Sequence, residues 1–201
     1  MYIAKIIFRQ FKVNMRISFE PKVNFCALQK SYRPTVKELD SKLMSYSDTD
    51  VSFVELDIYN DGDLDALKGV SENWEQGLFV QNIYDDANFC LDGVYDKTHF
   101  YAITTQKSNF KNLDYQKILA LTEVTEEENG KAFIQFIQAN PESIFNPCSK
   151  YKCTGTALLD GLKDIYYRLE ARPIKSDSVL NFYKKNNFVK SENSSIYCWQ
   201  G

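Results

Sequence analysis

The sequence is poor in histidine and paired cysteine, and it lacks the common phosphate-binding signatures. Its 201 residues include one histidine and five cysteines, an odd number without a C-x-x-C pair, so neither a zinc cluster nor a disulfide framework is expected. The cysteines are Cys26, Cys90, Cys148, Cys153 and Cys198. No run approaches ~18 consecutive apolar residues, so no membrane span is expected. A P-loop and a G-x-G-x-x-G fingerprint are both absent, which excludes two familiar nucleotide-binding loops.

The composition is that of an ordinary globular protein. Apolar residues make up 44% of the chain and charged residues 25%, which excludes a disordered or collagen-like polymer. The length predicts one domain, or one domain with an extension. Residues 1–12 lack the long apolar run and the small-residue cleavage site of a signal peptide. Together with the unpaired thiols, this predicts a reducing, cytoplasmic location.

Charge is spread unevenly along the chain. The net charge of −3 gives no overall drive toward nucleic acid. Residues 1–34 nevertheless carry seven basic side chains against one acidic, whereas residues 35–100 carry fifteen acidic against four basic. A basic arm of this kind can be a nucleic-acid-binding tail. Residues 11–19, however, alternate apolar with polar side chains, which favours a strand that packs against the acidic block.

Hydrophobic periodicity predicts a mixed α/β chain. Strands are expected at residues 11–19, 51–59, 98–105, 117–125, 132–139, 167–174 and 195–199, and helices from residue 35 and over 64–74, 79–84, 155–167 and 176–186. Thr35 and Glu38 have the spacing of a capping box at a helix start. The polar residues 45–50 are the expected boundary between an N-terminal extension of strand and helix, residues 1–50, and a main domain, residues 51–201.

Two local signals fix the order of the later strands. Asn129-Gly130, between two apolar runs, is the strongest short-range signal of a β-hairpin. The helix over 155–167 then leads to a further strand, and this order implies parallel pairing between that strand and the second hairpin strand. Pro141 cannot donate to a ladder, so pairing must end there and leave polar groups free at the strand end.

Two segments have features of a ligand site. Residues 151–159 read Tyr-Lys-Cys-Thr-Gly-Thr-Ala-Leu-Leu, a glycine-containing turn that leads into a helix. Free N–H groups and the positive dipole end at such a turn bind phosphate, and Gly155 permits close approach, although an ordinary helix start has the same pattern. Residues 176–188 form a well-capped helix, with Ser176 at its start and Asn187 in the left-handed conformation at its end.

In order and spacing these segments resemble the GNAT superfamily of N-acyltransferases. The family's [RQ]-x-x-G-x-[GA] loop matches Lys152-x-x-Gly155-x-Ala157. Its N-x-x-A-x-x-(F/L)-Y-x-x-x-G-F segment matches residues 176–188, where Tyr183 takes the place of the family tyrosine. The resemblance covers roughly residues 115–200 and is greatest to bacterial and phage members whose loop reads YKGxGTALL. It implies a mixed central sheet with flanking helices.

The resemblance also implies a ligand and a mechanism. Acetyl-CoA is the expected co-substrate, without a metal, and an amine attacks it directly in a ternary complex. The pantetheine arm is expected at Ile137, Gln138, Ala139 and Ser176, and the pyrophosphate at Lys152, Cys153, Thr154, Gly155, Thr156 and Ala157. Tyr183 is then the general acid for the departing thiolate, because a phenol of pKa ~10 can protonate a thiolate. Replacement of Gly155 by Val is expected to block the pyrophosphate and to spare the fold.

The chain departs from the family pattern at three positions. Lys152 replaces Arg or Gln and so lacks a planar fork, Ser176 replaces Asn, and Asn187 replaces Gly. The general base is also not identified. Glu123 and Glu126 are candidates, although a solvated sheet face explains them as well. The single imidazole, His99, fits the surface of a strand better than a catalytic site.

Three interpretations therefore stand beside one another. The leading one is an acetyl-CoA-dependent N-acetyltransferase that acts on an amine. The second is a catalytically degenerate member that binds CoA or a protein partner. The third is an interaction module built on the basic residues 1–34. The acidic residues 35–100 favour a cationic acceptor, and the oligomeric state is open.

Overall fold

The computed structural model describes residues 26–74, 78–91, 97–192 and 194–201. The helices are α1 (Asp61–Asn73), α2 (Leu78–Leu91), α3 (Pro141–Phe145), α4 (Thr154–Ile165) and α5 (Asp177–Lys185). The strands are β1 (Leu28–Gln29), β2 (Thr35–Asp40), β3 (Ser45–Asp50), β4 (Ser52–Leu56), β5 (Thr98–Thr104), β6 (Ile118–Glu126), β7 (Lys131–Ala139), β8 (Tyr151–Lys152), β9 (Arg168–Ala171), β10 (Val189–Lys190) and β11 (Tyr197–Gln200). The strand expected at residues 11–19 lies outside the described residues.

Within the described residues, eight strands form one mixed sheet in the order β1-β4-β5-β6-β7-β9-β11-β10. β7 and β9 pair in parallel, and α4 lies in the connection between them. The other neighbouring strands of this sheet pair antiparallel. The predicted mixed central sheet, with flanking helices and one parallel crossover, is therefore confirmed.

Side chains of the large sheet alternate between two cores, one on each face. In β4, Phe53 packs with Leu158 of α4, whereas its neighbour Val54 packs with Leu67 of α1 and Ile83 of α2. All five side chains are buried. We call these two sides of the sheet the α4 face and the α1–α2 face. β4 is apolar on both sides because helices cover both of its faces.

A second sheet occupies the place of the helix expected from Thr35. β2 pairs with β3 on one side and with β8 on the other. The prediction of a capping box at Thr35 and Glu38 is therefore wrong, and residues 45–50 form β3 rather than a loop. The hydroxyl of Tyr46 donates to the carbonyl of Ser149 at 2.8 Å, across 103 residues of sequence. The β2–β3 hairpin therefore contacts β8 and Ser149, which lie about a hundred residues further along the chain. A local sequence pattern does not reveal such distant contacts.

The other predicted turns and ends have the expected geometry. Asn129 and Gly130 adopt positive φ angles of 62° and 70° between β6 and β7. Pro141 follows β7 and starts α3, and Asn187 has a φ of 65° just after α5. The short elements α3, β8 and β10 were not expected from the sequence. None of the helices in the described ranges has the length and hydropathy needed to cross a bilayer.

Candidate functional site

The neighbouring strands β7 and β9 separate halfway along their length. They pair only from Lys131↔Arg168 to Ile134↔Ala171. β9 ends at Ala171, whereas β7 continues to Ala139. Among the described residues, no strand pairs with the second half of β7 on this side. The result is an opening in the sheet between the two strands.

A β-bulge in β7 lies where the opening begins. Glu123 of β6 pairs with Phe136, and the next residue, Val124, pairs with Ile134, so Gln135 is an extra residue without a partner in the ladder. A bulge bends its strand and increases the local twist. Gln135 therefore lies at the point where β7 turns away from β9.

The backbone groups of Ile137 and Ala139 face the opening. The N–H of Asn140 donates to the carbonyl of Leu119 in β6 at 2.9 Å. Since backbone groups alternate in direction along a strand, Gln138 also directs its N–H and C=O toward β6, and its two neighbours direct theirs away. The outward backbone groups of Ile137 and Ala139, the residues predicted to contact a pantetheine arm, thus have no strand partner on this side among the described residues. The backbone of Gln138, also expected there, is engaged by β6.

The start of α4 provides a cluster of free backbone N–H groups beside this opening. Cys153 has a left-handed conformation, φ 62° and ψ 19°, and caps the helix without a side-chain hydrogen bond. The N–H groups of Thr154, Gly155 and Thr156 have no acceptor within the helix. A left-handed residue followed by helical residues forms a concave nest of N–H groups that suits an anion. The N–H of Ala157, by contrast, already donates to the carbonyl of Cys153 at 2.9 Å.

Two other predicted phosphate and pantetheine contacts have partners within the protein. The ammonium of Lys152 lies 4.5 Å from the centroid of the Tyr46 ring, in a cation–π contact with the small sheet. Ser176 precedes α5 as expected, and its hydroxyl lies 2.9 Å from that of Ser178. Neither contact excludes a ligand, but a ligand has to compete for both side chains.

Tyr183 lies in an aromatic cluster on the α4 face. Its ring is 5.3 Å from that of Phe182, 5.2 Å from that of Phe188 and 6.4 Å from that of Tyr197, measured between centroids. The side chain is 4% exposed, and burial raises the pKa of its phenol. Among the described residues, no group forms a hydrogen bond with this hydroxyl. Tyr183 therefore stays protonated at neutral pH and has a proton to donate.

Glu123 is a buried carboxyl on the α1–α2 face, beside the bulge. It is 5% exposed and forms a side-chain hydrogen bond with Asp86 of α2. Burial, reinforced by the neighbouring charge of Asp86, raises the pKa of Glu123 to about 8. Its Oε2 atom has no hydrogen-bond partner among the described residues. The sequence named Glu123 as a candidate base, but only the fold brings Asp86 to it.

The other candidate acid–base groups, His99 and Glu126, lie on the α4 face of the sheet. The imidazole of His99 lies 2.7 Å from Glu55 through Nδ1 and 3.3 Å from Glu126 through Nε2. The hydrogen bond with Glu55 raises the pKa of His99. Lys30 also pairs with Glu55, a contact of the kind expected between the basic N-terminal segment and the acidic block. His99 is level with Ile134 and Glu126 with Ala132, so this network lies beside the half of β7 that pairs with β9 rather than beside the opening.

A cavity of about 620 Å³ lies between the end of α1, the segment before β6 and the residues that follow β7. Its walls include Trp74 at the end of α1, Tyr115 before β6, and Asn140, Glu142 and Phe145 after β7. Periodicity placed Trp74 at the end of the helix expected over residues 64–74 and gave no signal for the others. Because three separate segments build the cavity, only the tertiary fold reveals it.

Comparison with known proteins gives similarity in fold. No protein-family model matches the sequence, and no curated protein matches it. Among solved structures, a GNAT-family acetyltransferase from Staphylococcus aureus shares 14% identity over 75% of this chain and 98% of its own, with a TM-score of 0.49. An acetyltransferase from Streptococcus agalactiae shares 16% over 75% and 98%, with a TM-score of 0.46. The ribosomal-protein-S18-alanine N-acetyltransferase from Escherichia coli shares 13% over 75% and 93%, with a TM-score of 0.48.

Proposed function

We propose that this chain is a GNAT-superfamily N-acyltransferase that moves an acetyl group from acetyl-CoA to an amine. The observation that carries the proposal is the opening between β7 and β9 beside the uncapped start of α4. An opening between two strands and an uncapped helix start are each common features of proteins. Their juxtaposition matches one ligand that has amides at one end and a pyrophosphate at the other.

The residues present fit such a donor. The outward N–H and C=O groups of Ile137 and Ala139 are free to pair with the amides of a pantetheine arm, as an added strand would. The N–H groups of Thr154, Gly155 and Thr156 suit a pyrophosphate, which the positive end of the α4 dipole also favours. When bound, acetyl-CoA supplies an activated acyl thioester.

The reaction needs two proton movements. The amine nitrogen bonds to the acyl carbon, the carbon–sulfur bond breaks, the amine gives up a proton to a base, and the sulfur receives one from an acid. Tyr183 fits the acid because its hydroxyl is protonated and lacks a partner among the described residues. Its raised pKa makes full transfer to a thiolate less favourable than from an ordinary phenol, so a short hydrogen bond to the sulfur is part of the role.

Glu123 fits the base. Its pKa of about 8 lies close to neutral pH, which is favourable for general base catalysis. It lies on the α1–α2 face and pairs with Phe136, next to the outward-facing Ile137. Asp86 shares its proton and so keeps the carboxyl pair poised between two protonation states.

Release of the CoA thiol tests this function. The parent protein is incubated with acetyl-CoA and a panel of amines, and free thiol is measured with a chromogenic disulfide. Thiol release that depends on an amine supports the enzyme. Acetyl-CoA binding without release from any amine supports the binding module instead, and absence of both removes the proposal.

A further inference from the structure

The cavity beside β7 has aromatic walls. Trp74 is 6% exposed and Phe145 is 65% exposed. The side chain of Tyr115 packs on Gly69 of α1, where an added Cβ would lie 2.6 Å from Tyr115 Cγ. A volume of about 620 Å³ is in the range of small-molecule sites. Three aromatic side chains in one small wall suit a flat body, and the amides of Asn73, Gln116, Asn140 and Asn146 border it.

The same cavity favours positive charge. Among the described residues that line it, Glu142 carries the only charge, and no lysine or arginine is present. Glu142 has no ion-pair partner in the described part of the chain. The C-terminal end of α1 lies at the wall, and its last turn carries no basic residue to offset the negative end of the helix dipole. A cation at this place has a carboxylate, aromatic faces and helix carbonyls around it.

Two buried acceptors without donors lie further along the same face. Gln138 is 9% exposed and its Oε1 has no partner among the described residues, and neither has Oε2 of Glu123. Glu123 pairs with Phe136, two residues from Gln138, so both side chains project on the α1–α2 face as diagonal neighbours. Asn140, two residues beyond Gln138, lines the cavity. Unpartnered buried acceptors call for a ligand that brings N–H donors.

We infer that the acceptor is a small primary amine on a flat or apolar body. Its body lies between Trp74, Tyr115 and Phe145, and its ammonium lies beside Glu142. From there β7 leads to the unpartnered acceptors of Gln138 and Glu123. This inference rests on the proposed function and names the acceptor class of that enzyme. Spermidine, with several charges and no flat body, is a poorer match, because the lining supplies one carboxylate and three aromatic rings.

Direct binding without acetyl-CoA tests the inference. The probes are 2-phenylethylamine, its neutral counterpart 2-phenylethanol, and spermidine, titrated by calorimetry and ligand-observed NMR. We expect 2-phenylethylamine to bind the parent and to bind roughly fivefold more weakly to Phe145→Ala and to Glu142→Gln. The matched controls are Phe89→Ala, an exposed aromatic on α2, and Glu128→Gln in the β6–β7 turn, and both should bind as the parent does.

The outcomes separate this inference from the proposed function. Equal binding of the alcohol and the amine, tighter binding of spermidine, or no effect of the two cavity variants overturns the inference. Thermal stabilisation by acetyl-CoA is measured on the same samples. If acetyl-CoA stabilises the protein and no aromatic amine binds, the acceptor class is wrong and the enzyme survives. If the amine binds as expected and acetyl-CoA has no effect, the cavity's ligand class stands and the transferase is lost.

Discussion

The ring of Phe182 lies where a side chain at residue 155 would have to go. A Cβ on Gly155 would be 3.3 Å from both Cε2 and Cζ of that ring. Gly155 thus opens the start of α4 in two ways, because it leaves room for a ligand and lets α5 pack closely. The expectation that Gly155→Val spares the fold therefore has to be revised.

Gly155→Val should destabilise the protein by about 1–3 kcal/mol, since the added methyl groups overpack the contact with Phe182. Adding Phe182→Leu should recover part of that loss, with a coupling energy of at least ~0.5 kcal/mol. Urea unfolding of the two single variants and the double variant measures this coupling energy. Strictly additive effects would mean that the two residues do not share a contact. The double variant Gly155→Val/Phe182→Leu should still fail to bind acetyl-CoA. That result would show that the side chain at residue 155 blocks the ligand itself and does not act only by disturbing the packing on Phe182.

Cys153→Gly should stabilise the protein by about 0.5–1 kcal/mol. Cys153 has a left-handed φ of 62°, which costs an ordinary residue ~1–2 kcal/mol, while glycine costs ~0.5–1 kcal/mol in chain entropy. The YKGxGTALL loops that this segment resembles carry glycine at the position of Cys153. Cys148→Gly is the control, because Cys148 is equally exposed and has no positive φ. A lower melting temperature for Cys153→Gly would contradict this account of the loop.

Glu123→Gln should lower kcat/KM on the order of 10²-fold or more, the scale for loss of a general base. The base must be ionised, so the parent's rate should rise with pH and level off above about pH 8. The rate of the Glu123→Gln variant should not show this rise with pH. Glu126→Gln, on the same strand but outside the opening, should keep it. A parent profile that is flat from pH 6 to pH 9 would exclude Glu123 as the base.

The substitution Glu123→Gln should also change how the stability of the protein depends on pH. Glu123 is protonated in the folded protein up to about pH 8, whereas an unfolded glutamate ionises near ~4.3. The contribution of the protonated Glu123 carboxyl to the free energy of unfolding is therefore fully present below pH ~4.3 and is lost as pH rises through 8. Gln cannot ionise, so the variant should fall less in melting temperature between pH 5 and pH 9 than the parent does.

The sequence predicted those parts of the fold that depend on local chemistry. Asn129-Gly130 was sufficient for the β6–β7 hairpin, and Asn187 for the end of α5, because both need a left-handed backbone. Thr35-x-x-Glu38 was misleading, since β2 pairs with β3 and with the distant β8, and this pairing overrides the local helix signal. The division at residue 50 and the cytoplasmic location stay predictions.

The candidate site likewise contains features that have a local sequence signal and features that arise only from tertiary packing. The start of α4 was visible because helix starts have a local signature. Glu123 was one of several acidic residues in the sequence, and its burial against Asp86 arises from the packing of α2 on β6. The bulge at Gln135 follows from the register of two strands, and no residue type in β7 signals it.

Tyr183→Phe should reduce turnover on the order of 10²-fold, while acetyl-CoA affinity changes by no more than ~1 kcal/mol. The substitution keeps the ring in its aromatic cluster and removes the proton donor alone. The loss should shrink as pH falls, because solvent acid then supplies the proton. Tyr197→Phe, in the same cluster, is the control and should turn over normally. Normal turnover by the Tyr183 variant would reduce Tyr183 to a packing residue.

Titration of the parent protein with acetyl-CoA in a calorimeter tests the central claim, that the opening between β7 and β9 and the nest at α4 form one acyl-CoA site. We expect saturable heat at one molecule per chain, with an affinity between about 1 μM and 1 mM, the usual range of KM. S-acetylpantetheine should bind more weakly, because it lacks the pyrophosphate that the α4 nest would hold. Absence of saturable heat with acetyl-CoA, or equal affinity for the two compounds, would contradict the account.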